Sequence, residues 1–175
     1  MATAPVLSAD VTHVLREGVY ALSFPGTAHA DIPIPWATTD DAAAAAATRV
    51  HIDHVNGRFV PGVTDVRRYD DGPGAPHALP LYEINAVLME EARDHPDWIP
   101  NAWELADVMI PFMDRFGWQA SAAAVTTDDA RAFVHERGVP AAERRRRHAV
   151  LSGFFAALAG MDMLASNPVD GVPAP

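Results

Sequence analysis

The sequence predicts an all-α protein: a compact helical bundle of five or six helices, with a long Gly/Pro-rich loop at about 57–79 and little or no strand. Three observations predict this class. Helical spacing of apolar residues recurs along the chain. Alanine, the best helix former, fills 42–47. The pentapeptide TTDDA, whose Thr and Asp suit a helix N-terminus, occurs at both 38–42 and 126–130. With 175 residues, we expect a single helical domain over 1–166 and a flexible C-terminal tail over 167–175.

The N-terminal segment predicts a first helix followed by an extended stretch. Ser8 is a candidate N-cap, and apolar residues at Val11, Val14, Leu15 and Val19 share one helical face. The stretch SFPGTAHADIPIPW that follows contains three prolines and a glycine, so it is not helical. Its isoleucines alternate with prolines, which indicates an extended segment laid over a surface.

The stretch RVHIDHVNGRFV, at 49–60, allows two interpretations. The pair Asn56-Gly57 is a strong hairpin turn, with Val50 and Ile52 alternating before it. Alternatively, Gly57 occupies the left-handed position after a helix that starts at the first TTDDA. The signals favour the helix, in which the histidines near its negative end are stabilised by the helix dipole.

The rest of the chain predicts three or four helices. Pro80 suits the first position of a helix with apolar residues on one face. Asn101 is a candidate cap for the next helix, in which Pro111 predicts a kink or break. The second TTDDA begins a short helix that ends at Gly138, and Pro140 begins a long final helix. The apolar end of that helix is shorter than a membrane span of roughly 20 residues, so we expect a buried core helix.

Composition excludes several classes of function. The formal net charge is −10, which argues against nucleic acid or an anionic membrane as partner. There is no lysine for Schiff-base chemistry or a phosphate-binding loop, and no cysteine for disulfides, thiolate metal sites or a thiol nucleophile. The N-terminus lacks the basic and apolar regions of a signal peptide, so the expected location is the cytoplasm.

Histidine and carboxylate pairs at helical spacing predict a metal site. His51 and His54 are three residues apart, and Glu91 and His95 are four apart. Side chains at these spacings lie on one helical face, and helix bundles build metal sites from such pairs on several helices. A mixed nitrogen and oxygen set suits a divalent transition metal, such as non-haem iron. The alternative is that these histidines and acids are solvated or interact with the helix dipole.

Aromatic and methionine side chains predict a binding cavity. Trp98, Trp103, Met109 and Met113 are the candidate substrate-binding residues, although the same spacing is typical of a core. We expect a cytoplasmic protein that binds a small organic molecule. The sequence is compatible with both a monomer and a homo-oligomer. In its most specific form the hypothesis is a metal-dependent enzyme acting on an apolar or aromatic substrate; no catalytic residue is assigned. The alternative is a non-enzymatic acidic helical module that binds a protein partner.

Overall fold

The computed structural model describes residues 11–70, 80–94 and 102–175, and it corrects the predicted fold class. These residues form five α-helices and a three-stranded antiparallel sheet, so the prediction of an all-α helical bundle is wrong. The chain divides into two compact units, Met1–Asp70 and Asp71–Pro175. The division into a single domain and a tail, made from the sequence, stays a prediction.

The predicted first helix is a β-hairpin. Strands β1 (Thr12–Arg16) and β2 (Val19–Ser23) pair antiparallel, with Arg16 opposite Val19. The two turn residues, Glu17 and Gly18, have φ of 50° and 83°. Positive φ at both central residues is the geometry of a tight hairpin turn, whose twist matches that of the strands. Leu15 and Val19, which the predicted helix would have buried, are exposed.

In the first unit, one helix packs against this sheet. Strand β3 (Ile32–Pro33) pairs with β2, and α1 (Asp40–Val55) contacts β1 and β2. The core of this unit is apolar and takes buried side chains from β2, from α1 and from the segments that follow β3 and α1. Its fully buried large members are Leu22, Ile34, Phe59 and Tyr69.

The helical interpretation of 49–60 is confirmed. α1 continues to Val55, and Gly57 follows with φ of 74°, in the left-handed region. The amide N–H groups of Asn56 and Gly57 both donate to His54 O. Backbone N–H groups of Arg58 and Phe59 both donate to Asp53 O, which turns the chain back across the helix end.

The two TTDDA copies both begin helices, as predicted, but in different registers. In the first copy the second threonine, Thr39, is the N-cap of α1 and accepts from the N–H of Ala42. In the second copy the first threonine, Thr126, is the N-cap of α4 (Thr127–Val134). Only the second register places an acid, Asp129, where it can return a hydrogen bond to the cap and complete a capping box.

The second unit is helical in its described part. It contains α2 (Leu81–Asp94), α3 (Ala102–Phe116), α4 and α5 (Ala141–Gly160). α3 contacts both α2 and α5, and α4 packs on α5. α3 continues through Pro111, which is exposed. Within the described residues, no helix combines the length and apolar character that crossing a membrane requires.

The segment after α5 packs against its own unit. Val169 and Val172 are buried in the core of the second unit. Three successive backbone carbonyls of this segment accept hydrogen bonds from side chains of the helices. Gly171 O accepts from Arg131 in α4, and Pro173 O accepts from His135 at the end of α4. Val172 O accepts from His148 in α5. The Asn167 amide also donates to Ser152 O at 3.1 Å.

Candidate functional site

A pocket of about 630 Å³ lies in the first unit. We call it the Trp36 pocket, and its lining residues are Pro33, Pro35, Trp36, Asp65, Val66, Arg67 and Asp70. Its volume lies within the range of about 300–1,000 Å³ that is typical of small-molecule sites. Four of the seven lining residues are apolar, and the other three, Asp65, Arg67 and Asp70, are charged.

The first wall of the pocket follows from the alternation of isoleucine and proline. Successive side chains of an extended chain point to opposite faces. Ile34 is fully buried in the core, whereas Pro33 and Pro35 are exposed and line the pocket. The expectation of an extended segment is confirmed at Ile32–Pro33, which form β3, whereas Pro35 and Trp36 lie in a turn. Trp36, which ends this segment, packs partly against the core of the first unit and lines the pocket as well.

The second wall is a short 3₁₀ helix, Val66–Tyr69, within the predicted loop. Asp65 caps it by accepting from the backbone N–H of Arg67 at 3.0 Å. The Arg67 guanidinium in turn donates to both oxygens of Asp65, with Nη2 to Oδ2 at 2.6 Å. These hydrogen bonds and the positive charge hold the pKa of the Asp65 carboxyl below its ordinary value. The carboxylate is therefore ionised at neutral pH.

Tyr69 attaches this wall to the core. Its hydroxyl donates to Asp53 Oδ2 at 2.9 Å, and both residues are buried. The Arg49 guanidinium lies 6.0 Å from the centre of the Tyr69 ring. Burial, and then the negative charge of Asp53, raises the pKa of Tyr69 above its ordinary value. The side chain remains a neutral donor at neutral pH, so it holds the 3₁₀ helix to α1.

Two of the histidines predicted as metal ligands, His51 and His54, lie in α1, and each forms a hydrogen bond with a backbone group. His54 Nδ1 donates to Phe59 O at 3.0 Å, and the ring packs edge-on against Phe24. His51 Nδ1 accepts from the backbone N–H of Val11 at 3.3 Å. Nδ1 of His54 therefore carries a hydrogen, whereas Nδ1 of His51 does not. Each ring is oriented by a backbone group from outside its helix.

The prediction of metal binding is wrong for the residues that the structure describes. Among them, no group of three or more histidine, aspartate or glutamate side chains is placed to hold a metal ion. His51 and His54 belong to the first unit, and Glu91 is exposed on α2 in the second. His95 lies outside the described residues, so the complete set of four stays a prediction.

The residues predicted to bind substrate have different environments. Met109 and Met113 are fully buried in the core of the second unit. Trp103 is 81% exposed, and Trp98 lies outside the described residues. Their role in binding stays a prediction, and the residues that line the Trp36 pocket do not include the three described ones, Trp103, Met109 and Met113. Sequence reasoning did not select that pocket, although the IPIPW stretch and the Asp-capped VRRY segment were the signals that could have indicated it.

Comparisons with known proteins give no relative for this chain. No family model, no curated protein and no solved structure matches it.

Proposed function

We propose that this protein binds a small organic molecule with an apolar or aromatic body, and that the Trp36 pocket is the binding site. The pocket itself is the observation that supports the proposal most strongly. Its volume suits such a ligand, and a tryptophan and two prolines provide flat apolar surfaces for a ring or chain.

The rigidity of the two walls supports the same function. Proline restricts the backbone of the first wall at positions 33 and 35. The second wall is held by the buried hydrogen bond from Tyr69 to Asp53, and Asp65 caps its 3₁₀ helix by accepting from the N–H of Arg67. A site that is formed before the ligand arrives loses little conformational entropy on binding.

Benzyl alcohol is a suitable neutral probe, and its binding can be followed by two-dimensional ¹H–¹⁵N NMR. We expect concentration-dependent shifts of the Trp36 indole N–H and of backbone amides at 65–70. A molecule this small should bind with a Kd on the order of 1–10 mM, given the free energy available per atom.

The variants Trp36→Ala and Trp103→Ala form a matched pair. Trp36→Ala removes the aromatic wall and should weaken binding by about tenfold, since a stacked ring contributes roughly 1 kcal/mol or more. Trp103→Ala removes an exposed tryptophan of the other unit and should leave binding unchanged. Absence of shifts at Trp36 and 65–70, or the same affinity in Trp36→Ala, would refute the proposed function.

A further inference from the structure

The two residues that follow α1 form a site for spontaneous covalent modification. Asn56 and Gly57 are both exposed, and a Cβ at Gly57 would meet no atom within 4 Å, so water reaches this dipeptide. We propose that Asn56 is a deamidation site, and that the hydrogen-bonded end of α1 controls when it reacts. This proposal is independent of the Trp36 pocket and goes beyond the proposed function.

The reaction needs only these two residues and water. The backbone nitrogen of Gly57 bonds to Asn56 Cγ, the bond from Cγ to Nδ2 breaks, and Nδ2 leaves as ammonia with the hydrogen of the Gly57 N–H. Water then opens the five-membered succinimide ring at either carbonyl. One product is aspartate, and the other is isoaspartate, in which the main chain runs through Cβ and Cγ. Glycine favours ring closure, because no side chain shields its nitrogen.

The folded backbone opposes ring closure at Asn56. The ring can close only when the nitrogen of Gly57 eclipses Cβ of Asn56 about the bond from Cα to C. At the observed ψ of 6°, it instead eclipses the backbone nitrogen of Asn56. The N–H of Gly57 donates to His54 O at 3.0 Å, and Asn56 Nδ2 donates to Ile52 O at 2.7 Å, so hydrogen bonds hold both reacting nitrogens. Deamidation therefore requires that the end of α1 open first.

Modification should prevent the same helix end from closing again. Both products replace the Nδ2 donor by a carboxylate oxygen, which repels Ile52 O and lies at the negative end of the helix dipole. Isoaspartate also adds a methylene group to the main chain before Gly57. This displaces the N–H groups of Arg58 and Phe59, which donate to Asp53 O in the unmodified protein. Because Phe59 is buried in the core of the first unit, isoaspartate should destabilise that unit.

Mass spectrometry of the full chain tests the control by the helix end. Trypsin cleaves after Arg49 and Arg58, which releases residues 50–58 with Asn56 as their only asparagine or glutamine. The synthetic peptide VHIDHVNGR has the same sequence and is the unfolded reference. At mildly alkaline pH, this peptide and the chain in concentrated urea should deamidate at similar rates. The folded chain should react at least about tenfold more slowly, because only its opened fraction is reactive.

Two controls identify the reacting pair. Asn56→Gln keeps a side-chain amide but would have to close a six-membered ring, so it should remain intact over the same period even in urea. Asn85 is followed by Ala86 and is a control within the same chain. In urea it should react at least about tenfold more slowly than Asn56, because the side chain of Ala86 shields the attacking nitrogen.

The variant Asn56→Asp separates charge from chain length. It carries the charge of the products without the additional methylene group in the main chain. Amide hydrogen exchange at Arg58 and Phe59 should therefore be fastest in the purified isoaspartate form, slower in Asn56→Asp and slowest in the unmodified protein.

Each part of the proposal can be overturned separately. Equal deamidation rates in the folded chain and in the peptide would overturn control by the helix end. Absence of reaction at Asn56 in urea would overturn the site itself. Equal hydrogen exchange in the isoaspartate form and the unmodified protein would overturn the effect on the helix end.

Discussion

The hydroxyl of Tyr69 donates to Asp53 Oδ2 at 2.9 Å inside the core of the first unit, where Tyr69 is 1% and Asp53 0% exposed. This hydrogen bond joins the 3₁₀ helix at Val66–Tyr69 to α1. Because Val66, Arg67 and Asp70 flank Tyr69 in the chain and line the Trp36 pocket, the same bond fixes one wall of the candidate site.

Removing the hydroxyl should destabilise the first unit. Tyr69→Phe leaves the buried Asp53 carboxylate without this donor, and such a loss costs about 1–3 kcal/mol, more where the acceptor is charged. Urea unfolding followed by the amide signals of α1 measures the change. Tyr82→Phe is the control, because Tyr82 donates to the adjacent Glu83 in the second unit, and neither residue is buried. A Tyr69→Phe effect no larger than that of the control would contradict the anchoring role.

The raised pKa of Tyr69 predicts a loss of stability at high pH. The folded protein holds this phenolic proton more tightly than the unfolded chain, in which tyrosine titrates near pH 10. The stabilisation from this group is therefore fully present below about pH 10 and is lost as the pH rises from there towards the folded pKa. Urea unfolding at several pH values should show this loss, and the Tyr69→Phe variant should show a flatter dependence. Identical slopes in the two proteins would be evidence against the shift.

A side chain at Gly57 should strain the end of α1. Gly57 has φ of 74°, and a Cβ there would meet no other atom within 4 Å, so the cost comes from the backbone alone. Gly57→Ala should therefore reduce stability by about 1 kcal/mol. Gly160→Ala is matched to it, since Gly160 also has open space but lies in α5 without a positive φ. That substitution should be neutral or stabilising, and equal effects of the two would argue against the left-handed geometry.

The N-caps of α1 and α4 should contribute differently to stability. At Thr126 the Asp129 carboxylate accepts from the cap N–H at 3.0 Å, whereas the equivalent position after Thr39 is Ala42. Thr126→Ala should cost about 1–2 kcal/mol and Thr39→Ala about 0.5–1 kcal/mol, because only the first change disrupts a reciprocal pair. Hydrogen exchange of the first-turn amides of α4 and α1 measures both. Greater loss of protection at α1 than at α4 would reverse this ranking.

The C-terminal segment should contribute to the stability of the second unit. Val172→Ala removes two methyl groups from a buried site and should cost about 1–2 kcal/mol. Val63→Ala, at a residue that is 81% exposed, should change stability by less than about 0.5 kcal/mol. A Val172→Ala variant as stable as the wild type would indicate that this segment frays in solution.

The candidate site could be predicted only in part from the sequence. The alternation in IPIPW predicted an extended segment, because the period of two is a local property of the chain. That this segment forms a pocket depends on residues 65–70, about thirty positions further along the chain. The buried pairing of Tyr69 with Asp53 brings in a third segment. Likewise, the helical spacing of His51 and His54 was correct, but their backbone partners, Phe59 and Val11, are set by how the chain turns around α1.

The local signals determined most of the helices. These signals act within one or two helical turns. Threonine followed by aspartate marks the starts of α1 and α4, and the alanine run with Gly57 marks the course and the end of α1, in agreement with the structure. Tertiary packing determined the rest. It selected Thr39 in one copy of TTDDA and Thr126 in the other, because each helix must turn its apolar residues towards a different core. It also made 12–23 a hairpin, since Leu22 becomes fully buried only when a strand pairs on each side of β2 and α1 covers the sheet.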